Sequence, residues 1–152
     1  MSEKKPRVFK AILTALLGLV IFSLVYLLSY LIVGGIIYIL SLIPVIGKLV
    51  DLLFYMRRDT PDMMLSLFSP ILAYYCTMAA QEAINKDKPT RGISCVLLGI
   101  IIIVLHLFSI ISNLLLGEGI LKNIIQAIAG FVIFNSGKGC LKESKEVHYE
   151  SK

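Results

Sequence analysis

Hydrophobic positions run along this chain in long unbroken blocks. Ala11 to Gly47 carries no formal charge over thirty-seven residues, and Gly92 to Leu116 none over twenty-five. A helix of the second length is roughly 37 Å long, more than the ~30 Å of a bilayer's hydrocarbon core. The pattern predicts an all-α integral membrane protein, with transmembrane spans near 11–33, 63–82, 92–116 and 120–135. The first block is too long for the apolar stretch of a signal peptide, so it is expected to stay as an anchor.

Each span carries a distinct face. In the first, Ala11, Ala15, Gly18 and Phe22 form a close-packing strip, and in the second Ala73, Cys76, Ala80 and Ala83 form another. Thr60-Pro61-Asp62 reads as the start of the second span, which Pro70 should bend. In the third, Cys95, Gly99, Ile102, His106, Ser109 and Asn113 recur at steps of three and four and share one side. The fourth presents Asn123, Gln126, Ala127 and Gly130 as a face that needs a partner, and the short turn Gly117-Glu118-Gly119 should pack it antiparallel to the third.

Between the first two spans, Gly34-Gly35 is expected to interrupt the helix, and Pro44-Val45-Ile46-Gly47 signals a turn. Residues 36–56 then form either a short re-entrant or interfacial helical hairpin, which gives four transmembrane helices in an antiparallel bundle, or a kinked crossing, which gives five transmembrane helices. Charge separates the two. Four crossings place 11 Lys and Arg on one side and 4 on the other, and five place 8 against 7. The positive-inside rule favours four, with both termini cytoplasmic and the cell membrane as the expected location. Residues 1–10 are then a basic cytoplasmic N-terminus, 11–136 the membrane domain, and 137–152 a polar tail whose composition predicts disorder.

Composition narrows the chemistry. The chain is 57% hydrophobic and carries a net charge of +5, which serves topology here; no basic groove with interleaved aromatics points to nucleic acid. Three scattered cysteines, Cys76, Cys95 and Cys140, suggest neither a disulfide framework nor a metal knuckle, and Cys140 reads as a free thiol just past the last span. The CxxC, GxSxG, HExxH and phosphate-loop patterns are absent, so no enzymatic activity and no cofactor or metal are expected.

What remains is a polar level near mid-membrane. Counted from the helix centres, His106, Gln126, Tyr74 or Tyr75, and Ser23 or Tyr26 fall at similar depth, with Ser109, Asn113 and Asn123 nearby. Such a cluster either fixes helix register through interhelical hydrogen bonds or lines the path of a proton or polar solute. The first option makes the chain a structural or accessory membrane protein working through helix contacts, with the lipid bilayer, a membrane-protein partner or a second copy as its associates. The alternative is a small oligomeric transporter or channel with its site around His106.

Overall fold

The computed structural model describes residues 7–45, 48, 60–117 and 120–150, with side chains from Phe68 onward in the second helix and to Ser144 in the last. Four long helices account for almost all of it: α1 (Val8–Ser41), α2 (Thr60–Ile84), α3 (Lys88–Leu116) and α4 (Leu121–Glu150). No strand occurs among the described residues. Among the described residues, three stretches are long and apolar enough to cross a membrane: Val8–Ile36, Lys88–Leu116 and Leu121–Ser144.

Several helix ends differ from the sequence reading. Gly34-Gly35 does not interrupt α1, which runs on to Ser41. Two glycines weaken a helix by roughly 1 kcal/mol each, too little to break a run of β-branched and leucine neighbours. The predicted hairpin therefore loses its first residues to α1, and most of 46–59 lies outside the described residues. Likewise α4 passes Asn135-Ser136-Gly137 and continues to Glu150, so the stretch assigned to disorder by composition is helical over 137–150. Its first half-turns lie against α3, and that contact outweighs a polar composition. Asp87 in extended backbone (φ −85°, ψ 121°) and Pro89 in the first turn open α3, while Gly117 closes it in the left-handed region (φ 72°).

The helices enclose a core in the cyclic order α1, α2, α4, α3, with the broadest packing between α3 and α4, then between α1 and α2. Thr14 of α1 meets Gln81 and Asn85 near the end of α2, so these two run in opposite directions. Thr14 also meets Ser94 near the start of α3, so α1 and α3 run in the same direction. Leu98, Ile102, Ile133, Phe22 and Ala73 form the apolar centre. The outside is greasy throughout: Phe9, Phe108, Leu115 and Phe131 are 81%, 73%, 83% and 54% exposed. An aqueous protein rarely shows so continuous an apolar surface.

The α3–α4 seam is the tightest. Gly92 and Gly99 on α3 face Gly130 and Gly137 on α4, each pair seven residues apart and so on one helical face. A Cβ on Gly99 would stand 2.6 Å from the Phe134 amide nitrogen and 2.7 Å from the Gly130 carbonyl oxygen. On Gly137 it would stand 2.7 Å from the Val96 amide nitrogen. Backbone cannot yield as a flexible side chain can, so Gly99→Ala should cost about 1–3 kcal/mol of overpacking. Gly139, two residues on, meets nothing within 4 Å. Gly139→Ala should instead leave stability equal or up to about 1 kcal/mol higher through helix propensity. Unfolding of the two variants in detergent checks this; equal midpoints would refute the close approach.

Candidate functional site

Four polar side chains from three helices meet near the start of α1. Thr14 (α1), Gln81 (end of α2), Asn85 (the residue following it) and Ser94 (α3) are each at most 4% exposed. The Gln81 amide Nε2 donates to the Thr14 backbone carbonyl at 2.6 Å. Ser94 Oγ donates to Gln81 Oε1 at 2.8 Å, and Asn85 Nδ2 donates to Thr14 Oγ1 at 3.0 Å. Thr14 Oγ1 has one proton and three acceptors within reach: the Lys10 carbonyl at 2.8 Å, Ser94 Oγ at 3.0 Å and the Ala11 carbonyl at 3.2 Å. When that proton points to Ser94, the chain Asn85 to Thr14 to Ser94 to Gln81 is closed. Gly18 makes room for it, since a Cβ there would lie 2.6 Å from Gln81 Nε2.

Further contacts draw the same end together. The Arg7 backbone amide donates to Thr90 Oγ1 at 3.2 Å, and Lys10 Nζ donates to the Ile84 carbonyl at 3.0 Å, covering the end of α2. Arg91 pairs with Glu82 and Lys88 with Glu143, both at 2.8 Å. Partial burial pushes the Asp87 carboxyl up, but the Thr90 hydroxyl and amide and the charge of Lys10 outweigh it and hold the group below its ordinary range. Cys140 lies within α4, half-buried beside Arg91, and not beyond the last helix.

The residues predicted as a midplane cluster are only partly brought together. The strip Ala11, Ala15, Gly18 and Phe22 is buried as expected, and so are Cys95, Gly99 and Ile102. His106, Ser109 and Asn113 are half-buried along the same side of α3. The Asn123 side chain stands against the His106 ring, and Gln126 is buried at 7% exposure. Ser109 Oγ donates back to the Leu105 carbonyl at 3.1 Å, a bond within its own helix. Tyr74 is half-buried with its hydroxyl 3.4 Å from Ser136 Oγ, whereas Tyr75 is 65% exposed and meets Tyr74 edge to face. Ser23 is exposed, as are Cys76 and Ala83 of the second predicted strip.

The true inner face of α2 is Ser69, Ala73, Thr77, Gln81 and Asn85, a strict step of four. That stripe was readable in the sequence, and so were Thr14 and Ser94 as polar residues inside small-residue strips. Gln81 falls at the edge of the predicted 63–82 span and Asn85 beyond it, away from the mid-membrane level where polar partners are expected. Among the described residues, no group of three potential metal ligands occurs. Compared with known families, curated proteins and solved structures, the chain matches none. The site and fold define a small helical protein with three candidate membrane spans in packed contact.

The closed chain of bonds predicts coupling. Thr14→Val and Ser94→Ala should each cost about 1–2 kcal/mol, and the double variant less than their sum by at least ~0.5 kcal/mol. Strict additivity in a double-mutant cycle, measured by unfolding in mixed micelles, would refute the shared network.

Proposed function

We propose that this chain is a four-crossing membrane protein of structural or accessory type, acting without catalysis through helix contacts in the bilayer. The observation that carries this is the inverted face pattern of α2. Ser69, Thr77, Gln81 and Asn85 point inward, while Phe68, Ile71, Leu72 and Tyr75 are 62%, 51%, 50% and 65% exposed. Such a helix suits lipid outside and polar partners inside, the reverse of a helix in water. Because the buried amides and hydroxyls of the node answer one another across helices, they support a packing role. The same direction of α1 and α3 agrees with the charge distribution, so the basic end, with both termini, is assigned to the cytoplasm. The cell membrane and a membrane-protein partner or second copy follow as parts of this reading.

With native cysteines replaced, Lys5→Cys, Lys86→Cys and Lys152→Cys should react with an impermeant thiol reagent from one side, and Lys122→Cys from the other. Labelling of Lys5→Cys and Lys152→Cys from opposite sides would overturn the four-crossing reading.

One observation favours the transport alternative. His106 Nδ1 is buried without a hydrogen-bond partner, beside Asn123 on the facing helix. Under the packing reading, His106→Leu shifts detergent stability, and vesicles holding the parent chain leak protons no faster than empty ones. A parent leak abolished by His106→Leu would put transport in its place.

A further inference from the structure

The inner face of α2 carries more polar atoms than its neighbours satisfy. Ser69 Oγ, Thr77 Oγ1 and Asn85 Oδ1 are buried and without hydrogen-bond partners, on residues that are 1%, 0% and 0% exposed. Buried polar atoms left in this condition each cost about 1–3 kcal/mol, and native proteins commonly resolve them with ordered water. What each atom needs differs. Thr77 can rotate its hydroxyl to the carbonyl one turn back, the usual bond of a helical threonine. Asn85 Oδ1 is an acceptor and has no such option; it needs a donor. Lys10 Nζ, fixed on the neighbouring Ile84 carbonyl at 3.0 Å, keeps further protons for a bridging molecule.

At Ser69 the chain itself creates the second partner. Pro70 lies inside α2 and lacks an amide hydrogen, so the Ser66 carbonyl loses its intrahelical donor. In the structure the Ser69 hydroxyl makes no bond back to its own helix. Ser69 Oγ and the Ser66 carbonyl, which has lost its amide donor, are therefore not satisfied by each other. A molecule that donates twice and accepts once resolves both.

We propose that the inner face of α2 holds two ordered water molecules, one bridging Ser69 Oγ to the Ser66 carbonyl, the other donating to Asn85 Oδ1 beside Lys10. The two positions are sixteen residues apart along α2, about 24 Å. Protons pass between waters only at hydrogen-bond distance, so these are isolated hydration sites and not a conducting wire. Gln81 separates them further, its Oε1 occupied by Ser94 and its Nε2 by the Thr14 carbonyl.

The test is water-edited solid-state NMR on the full chain in phospholipid vesicles, with polarisation carried from water protons to Ser69 and Asn85. Early build-up is expected at both, together with Lys86 as the exposed reference, and later build-up at Leu98. Pro70→Ala restores an amide donor to the Ser66 carbonyl; it should abolish early transfer at Ser69 and leave Asn85 unchanged. Transfer at Ser69 and Asn85 as slow as at Leu98 would overturn the proposal, and unchanged Ser69 transfer in Pro70→Ala would overturn the bridge. Polarisation from lipid acyl protons to Ile71 and Leu72 in the same sample tests the membrane reading separately, so the two can fail independently.

Discussion

A polar group removed from water must find a partner where it lands, and in this protein that demand decides which helices touch. Thr14 is the clearest case: its hydroxyl and its carbonyl together hold Asn85, Ser94 and Gln81, and so tie α1 to both α2 and α3. Apolar packing alone would let three greasy cylinders rotate and slide with little change in energy. Directional bonds at 2.6–3.0 Å remove that freedom, because a quarter-turn of α2 would carry Gln81 away from its carbonyl acceptor. Individual interhelical bonds in membranes average only about 0.6 kcal/mol, so their value here lies in acting together on one geometry.

The two principal seams solve close packing by opposite means. Between α3 and α4, glycines let backbone meet backbone, and along that face van der Waals contact supplies the attraction. Between α1, α2 and α3, small residues such as Gly18, Ala11 and Ala15 create space that amides and hydroxyls then fill. Arg91–Glu82 and Lys88–Glu143 close the same end with charge, joining α3 to α2 and to α4. Along the apolar stretches the outward surface is left mainly to leucine, isoleucine, valine and phenylalanine.

Much of this was legible in the residue order. The apolar runs gave the helices, and the spacing of Cys95, Gly99 and Ile102 and of Ala11, Ala15, Gly18 and Phe22 gave inner faces that the structure reproduces. The errors have physical causes. At Gly34-Gly35 the propensity cost is too small to break α1, whereas at Asn135-Ser136-Gly137 side contact with α3 carries α4 onward. The small-residue strip of α2 faces inward only in part: Ala73 is buried, Cys76 and Ala83 look outward, and Ser69, Thr77, Gln81 and Asn85 look inward. The end of the bundle is joined by Thr14, Gln81, Asn85 and Ser94, residues far apart in sequence whose meeting no spacing along one helix announces. Ser23 and Tyr75 show the limit of counting depth alone, since residues at one level need not share a side.

The partners of Thr14 lie 67, 71 and 80 residues further along the chain. When the first helix leaves the ribosome, none of them has been made. The Thr14 hydroxyl can meanwhile turn back onto the Lys10 carbonyl of its own helix, so the segment enters the bilayer with its side-chain proton donated internally. The α3–α4 pair, by contrast, is joined through adjacent segments and needs no distant partner. Biogenesis therefore has a built-in order: the polar junction can close once the third helix has arrived, a check that the first three stand in register, and the glycine seam zips after it as a local hairpin when the fourth helix follows.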